Sequence, residues 1–205
     1  MAGRRLWLPA APWWEQALAL PGALLIALRL PWRLRLAGVA LLLPLLLLPL
    51  LWPAVPRPDP GEFELLAPDV GQSNAVLLRT AQHTLLLDTG PAYAPGADAG
   101  ERVLLPLLRR LSVRRLHVLM LSHRDTDHVG GAASLLRGLD VIELRSSLEP
   151  GHPLLRTGPQ ETRCEAGQHW TRDGVRFDVL HPLPAHHEAG LKSNDLSCVL
   201  RITAA

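Results

Sequence analysis

The sequence predicts an α/β domain that follows an apolar, basic N-terminal segment, and three observations predict it. Short apolar runs of strand length alternate with runs of helical period between Phe63 and Ile202. Glu15 is the only acid in the first 56 positions, whereas the rest of the chain has the mixed charge of a water-exposed domain. A polar cluster, Leu121-Ser122-His123-Arg124-Asp125-Thr126-Asp127-His128-Val129-Gly130-Gly131, stands where one strand ends and a helix begins.

At 205 residues and 48% apolar content, the chain has room for one domain and an appendage. Residues 1–52 read as a membrane segment with one or two transmembrane helices, residues 53–60 as a proline-rich tether, and residues 61–205 as the domain. Leu36–Trp52 is seventeen residues without a charge, the lower edge of what spans a bilayer. Pro44 and Pro49 are tolerated there because neighbouring helices satisfy the freed carbonyls. Trp13–Leu28 is a weaker apolar run. Arg29, Arg33 and Arg35 lie between the two runs and place that turn in the cytoplasm, so everything after Trp52 is expected in the periplasm of a bacterial inner-membrane protein. A cleaved signal peptide beginning at Arg4-Arg5 is the competing account. It fits less well, because the apolar stretch is long and interrupted and lacks a small-x-small exit. Pro53-Ala54-Val55-Pro56-Arg57-Pro58 reads as a stiff tether.

After the tether, Phe63–Ala67 and Ala75–Leu78 read as strands flanking the Gly71-Gln72 turn, and Thr84–Leu87 as a third. The Gly, Pro and Ala of Ala92–Gly100 read as a loop. From Glu101 to Leu111, Val103, Leu104, Leu107, Leu108 and Leu111 recur at helical spacing, and Pro106 requires the helix to begin or kink near it. Leu116–Leu121 reads as a buried strand and Ala132–Gly138 as a short helix. Val141–Leu144, Gly174–Leu180 and Ser197–Ile202 complete the strands. Periodicity alone does not separate a parallel sheet from a two-sheet sandwich. The formal charge of +2 is too small to argue by itself for nucleic acid. Lys192 is the only lysine, and the arginine bias reads as codon usage before phosphate binding.

His123, Asp125, Asp127 and His128 put four metal-capable side chains within six residues, at a strand end and before two glycines. Imidazole nitrogen and carboxylate oxygen are ligands that zinc and manganese accept. Gly130-Gly131 lets backbone approach where a side chain would clash. The plainer alternative has Asp125 and Asp127 capping a helix, with the histidines solvated.

These residues resemble the metallo-β-lactamase signature His-x-His-x-Asp-His, with Asp125 in place of its second histidine. The variant, followed by Gly-Gly, resembles the soluble domain of ComEC-type competence proteins. Asp69-Val70-Gly71-Gln72, Leu87-Asp88-Thr89-Gly90-Pro91 and Asn194-Asp195-Leu196-Ser197-Cys198-Val199-Leu200 resemble three further segments of that family, in the same order. The resemblance implies a metallo-β-lactamase-like αββα sandwich that clamps a phosphodiester between two divalent ions. His123 and Asp125 would face one ion and Asp127 and His128 the other, with Asp127 also the partner of the attacking water. The Asp125 carboxylate tilts the preference from zinc towards manganese or magnesium, and manganese or zinc is the expected metal. Asp88 would orient the loop and would not be a ligand. The family's later Thr-Gly-Asp and His-His-Gly-Ser segments do not occur, and the membrane part is short, so the chain reads as a fragment truncated at both ends.

Among the other histidines, His181 is the best remaining ligand candidate, at a strand end before Pro182. His186-His187, His152 and His169 are expected in solvated positions, and His83 and His117 are isolated. Asn194 sits near where many lactamase-fold enzymes supply a third histidine. Cys164 and Cys198 either form a disulfide or stay as two buried thiols. The expected function is part of a membrane DNA-uptake protein whose periplasmic domain hydrolyses DNA. Its partners would be single-stranded or double-stranded DNA, the membrane and other competence proteins. The alternatives are a non-catalytic structural or DNA-guiding piece, or a membrane-anchored hydrolase of a small ester, lactone or lactam.

Overall fold

The computed structural model describes residues 13–28, 30–51 and 55–204. The chain divides into two compact units, residues 1–55 and 56–205.

The first unit is a helical hairpin of α1 (Trp13–Ala27) and α2 (Trp32–Leu51). Its two helices touch at glycines. A Cβ on Gly22 would lie 2.9 Å from the Gly38 carbonyl oxygen, and one on Gly38 would lie 2.8 Å from that of Gly22, so any larger residue would push the helices apart. Arg35 closes the turn by donating from Nε and Nη2 to the Leu28 carbonyl. Leu20, Leu24 and Leu36 are exposed. Among the described residues no helix is long and apolar enough to cross a membrane. The uncharged run Leu36–Trp52 falls in part outside the described residues, as do Arg29, Pro53, Ala54 and the Arg4-Arg5 pair.

The second unit begins with β1 (Glu64–Leu66), β2 (Val76–Arg79) and β3 (Thr84–Leu87). A small hairpin of β4 (Ala92–Ala94) and β5 (Ala97–Asp98) follows, then a wide turn over Gly100–Leu104 and α3 (Leu105–Arg110). Next come β6 (Arg115–Leu121), α4 (Thr126–Val129), α5 (Ala132–Gly138), β7 (Asp140–Ser146) and β8 (Glu161–Arg163). The last strands are β9 (His169–Arg172), β10 (Val175–His181) and β11 (Val199–Thr203).

Six strands form one sheet in the order β1-β2-β3-β6-β7-β8, and three form a second in the order β11-β10-β9. Strands β1 to β3 pair antiparallel, whereas β3, β6, β7 and β8 run parallel. The apolar run of β6 is continuous because both faces of its sheet are covered. Leu119 and Leu121 join Leu86, Leu104, Leu108 and Leu135 in a core under α3 and α5. Val118 and Met120 join Leu85, Val175, Phe177 and Val179 in a second core between the sheets. The parallel register of β3 and β6 brings their carboxyl ends side by side, and the polar cluster begins there.

The α/β class is as the alternation of runs predicts, and the sandwich of two sheets is as the resemblance implies. Within residues 56–204 the described layers are helices, six strands and three strands. A second helical layer is not among the described elements of this unit. The outer face of the three-stranded sheet is instead polar, with Arg176 and Arg201 holding Asp178 at 2.8 and 3.2 Å. Two local expectations change. The Ala92–Gly100 loop contains the β4–β5 hairpin. The helix expected from Glu101 opens as a π-turn, in which the Leu105 N–H reaches the Gly100 carbonyl, because Pro106 has no N–H to continue an ordinary α-helical ladder. Strands β8 and β9, short and rich in charge, show no strand signal in sequence. They form because a neighbour is ready to pair with them.

Candidate metal centre

Asp88 and Ser122 follow directly on β3 and β6, and the polar cluster then turns through α4 back towards the sheet. The turn is held from outside. Ser73 Oγ donates to the Asp127 carbonyl. The Thr89 N–H and hydroxyl both donate to the His128 carbonyl, at 2.8 and 2.9 Å. Gly130 and Gly131 lie against other backbone: a Cβ on Gly130 would sit 2.1 Å from the Ala92 nitrogen, and one on Gly131 2.4 Å from the Thr89 oxygen. The close approach expected of these glycines is therefore real, and no side chain is tolerated at either without moving main chain.

All four expected residues come together, and they do so in two pairs. His123 Nε2 lies 3.6 Å from Asp125 Oδ2, and His128 Nε2 lies 3.4 Å from Asp127 Oδ2. The imidazole rings are 3.9 Å apart between centroids. Asp125 occupies the N-cap position of α4, yet its side chain makes no capping bond. The plainer alternative, carboxylates spent on capping, is therefore not what is seen. Among the described residues, no three His, Cys, Asp or Glu side chains converge closely enough to hold an ion as they stand.

The hydrogen bonds around the two rings decide which of their nitrogens are free. Asp88 is buried and accepts three bonds of 2.7 Å, from the Ser122 N–H, the Ser122 hydroxyl and His128 Nδ1. A hydroxyl has one proton, and that of Ser122 goes to Asp88, so Ser122 Oγ accepts from His123 Nδ1 at 2.9 Å. Ser197 repeats the logic: its proton goes to the Asn194 carbonyl, and its oxygen faces His123 Nδ1 at 3.1 Å. Both Nδ1 atoms thus donate, and both Nε2 atoms are left with the lone pair a metal needs. His123 Nε2 is buried and has no hydrogen-bond partner. Burial, then the neighbouring His128, lowers the His123 pKa and keeps its ring neutral. The hydrogen bond to Asp88 raises that of His128. A carboxylate behind one imidazole and two hydroxyls behind the other form the kind of support that fixes ring orientation in metal sites.

His181 does not join the cluster. Its Nδ1 faces the Ser197 carbonyl at 2.9 Å and its Nε2 meets His186 Nδ1 at 3.2 Å. His186 and His187 are half-buried where solvated positions were expected, because the chain after cis-Pro182 folds back over the sandwich edge. His187 Nε2 donates to the Cys164 carbonyl at 2.9 Å. Asn194 contributes through its carbonyl. Cys164 and Cys198 are bridged, with Cα atoms 6.0 Å apart. The bridge ties the end of β8 to the start of β11, and the Cys198 N–H bonds the Ser122 carbonyl at 2.9 Å. Ser122 and Ser197 were not foreseen as supports of His123. Their only sequence signal is a hydroxyl next to a ligand candidate and another inside the Asn194–Leu200 motif.

Residues 68–197 match the family described as the metallo-beta-lactamase superfamily. The chain is 31% identical over 201 residues to the Escherichia coli (strain K12) protein YcaI, covering 96% of this chain and 24% of that protein. It is 38% identical over 136 residues to competence protein ComA of Neisseria gonorrhoeae, covering 66% of this chain and 17% of ComA. It is 34% identical over 134 residues to recombination protein 2 of Haemophilus influenzae, covering 65% of this chain and 16% of that protein. The chain thus spans a quarter or less of these relatives, and the likeness to competence proteins read from four short motifs is found again across the domain.

Proposed function

This chain belongs to the metallo-beta-lactamase superfamily, and we propose that it supplies the metal-dependent phosphodiesterase portion of a membrane DNA-uptake protein. The observation that carries the reading is the buried, unpartnered Nε2 of His123 beside a His128 whose Nδ1 is held by Asp88. Two imidazole Nε2 atoms without a hydrogen-bond partner of their own, each with a carboxylate next to it, fit divalent ions better than any partner within the protein. His123 and Asp125 would hold one manganese or zinc ion, and Asp127 and His128 the other. When bound, such ions supply a polarised water and charge stabilisation for an in-line displacement at phosphorus.

The chain's own residues do the rest. Asp88 fixes the His128 ring, and Ser122 and Ser197 fix that of His123. The Asp127 side chain is 52% exposed at the mouth of the site, where it can take the proton of the attacking water. Likeness to a competence protein and a recombination protein supports DNA as substrate, single-stranded or double-stranded. The uncharged Leu36–Trp52 run and the basic turn before it support anchoring in a bacterial inner membrane, with other competence proteins as neighbours. The Cys164–Cys198 bridge supports the periplasm, an oxidising compartment.

The test is cleavage of DNA in manganese by the domain joined to the family's later Thr-Gly-Asp and His-His-Gly-Ser segments. That extended wild-type protein is expected to cut, and Asp127→Asn, which keeps shape and removes the charge, is expected to lower the rate by about 10³-fold. Among the described residues no three ligands converge, which favours one other reading, a DNA-guiding domain without catalysis. Extended protein that binds DNA in manganese and zinc but cuts in neither would establish that alternative.

A further inference from the structure

Buried polar side-chain atoms without a hydrogen-bond partner are scarce in folded proteins, and each asks for an explanation. Four of the residues that carry such atoms line one cavity of about 210 Å³: His123 (Nε2), Arg163 (Nε), His187 (Nδ1) and Ser193 (Oγ). Arg163 is the last residue of β8, next to the Cys164–Cys198 bridge, and Ser193 opens the short turn Ser193–Leu196 that leads to Ser197. The cavity therefore lies between the two sheets' ends and shares His123 as a wall with the candidate metal centre.

Its charge is not balanced from within. Arg124 and Glu149, also in the wall, satisfy each other at 3.1 Å. Among the described residues no carboxylate pairs with Arg163. His187 is anchored through Nε2 to the Cys164 carbonyl, and its buried Nδ1 has no hydrogen-bond partner. Water would satisfy the hydroxyl and the imidazole, but water does not neutralise a guanidinium in a partly enclosed site.

We propose that this cavity is a phosphate subsite, in which Arg163 and Ser193 hold the phosphodiester next to the one presented to the metal centre. The assignment rests on the phosphodiesterase reading for what the neighbouring phosphate is doing, but not for whether the cavity binds an anion. The Arg163 guanidinium donates to one non-bridging oxygen, and Ser193 donates its hydroxyl to the other. Arg163 and Ser193 are positioning residues: they fix where the strand lies relative to His123 and touch no reacting atom.

The test uses the full 205-residue chain in EDTA, so that no cleavage occurs. Binding of fluorescein-labelled hexathymidylate is followed by anisotropy, with inorganic phosphate as competitor. Arg163→Gln is expected to weaken binding by about tenfold and to abolish competition by phosphate. Arg163→Lys, which keeps the charge but not the fork, should recover part of it. Ser193→Ala should weaken binding by a few-fold, and Arg110→Gln, on the exposed side of α3, by less than about twofold. Arg163→Gln protein that melts like wild type and binds within about twofold of it would overturn the assignment. So would phosphate competition that survives in Arg163→Gln, because the anion would then sit elsewhere. Because the readout needs no metal and no hydrolysis, a wild-type protein that fails to cut DNA leaves the subsite standing. A variant that loses binding in EDTA speaks to the subsite alone.

Discussion

At the carboxyl ends of β3 and β6, Asp88 has a left-handed backbone (φ 57°) and accepts bonds from Ser122 and His128, while the His123 and His128 rings lie tilted, 3.9 Å apart, beside it. At the amino ends of the same strands, Asp173 is also left-handed (φ 51°), and His83 and His117 lie 4.6 Å apart. Each end thus sets two imidazoles near one aspartate with a left-handed backbone, and the carboxyl end adds Asp125 and Asp127. The two ends use these groups differently. Asp173, in the turn between β9 and β10, accepts from Thr80 Oγ1, the Gln82 N–H, and the N–H and Nδ1 of His83, at 2.6, 2.7, 3.1 and 3.0 Å. His117 Nδ1 accepts the Thr84 N–H at 3.1 Å. There a turn of one sheet grips a turn of the other, and the ring acceptor of His117 is spent on backbone. At the other end both Nδ1 atoms donate inward and the Nε2 lone pairs remain. Residue type does not separate a clasp from a candidate metal centre, but the nitrogen left over does.

The largest effect is expected where the functional end is braced. The Cys164–Cys198 bridge closes 34 positions of chain and joins the two sheets beside Ser197 and Arg163. Replacing both cysteines by serine should lower stability by about 4 kcal/mol in urea unfolding, on the chain-entropy account. A change under about 1 kcal/mol would show that packing of Ser197 and His123 holds this end without the bridge.

The sharper comparison sets the two aspartates against each other. Asp88→Asn keeps the size of the side chain but replaces an acceptor-only carboxylate, so His128 loses the partner that fixes its Nδ1–H. Zinc or manganese affinity, read by calorimetry, should fall by about 10–100-fold. Asp173→Asn should change it by less than about twofold, because nothing at that end faces an ion. Equal losses in the two variants would erase the distinction between clasp and centre.

The sequence made some of this legible and hid the rest, for identifiable reasons. Strand β3 was readable to the residue, and α5 likewise, because their apolar positions are many and bounded by turn residues. The four cluster residues were readable because they are adjacent in sequence and their density has no other use. The pairing of Cys164 with Cys198 was not, since spacing alone does not say whether two strands end side by side. His83 and His117 looked isolated because they are 34 positions apart and meet only through the parallel register of β3 and β6. The roles of Ser122 and Ser197 depend on where single hydroxyl protons go, which no pattern of residue types records. Arg163 and Ser193 are ordinary surface residue types until the fold encloses them.

The smallest expected effect is on acid stability, and it tests the clasp directly. Burial alone would raise the Asp173 carboxyl, but hydrogen bonds from Thr80, His83 and Gln82 outweigh it and hold the group well below the usual carboxylate range. A carboxyl depressed in the folded state adds stability that is complete above its unfolded value, about pH 4, and drains away as pH falls towards the folded value. Asp173→Asn should therefore cost about 1.5 kcal/mol at neutral pH, the loss of charge-assisted bonds at a site that keeps its backbone. The gap between wild type and variant should then begin to narrow below about pH 4, where the unfolded chain takes up the proton, and close only as pH falls towards the folded value. Thermal melts of both proteins from neutral to acid pH read this out. Curves that stay parallel across that range would mean that Asp173 holds the turn by shape and not by charge. The amino end would then differ from the carboxyl end in more than which ring nitrogen is left free.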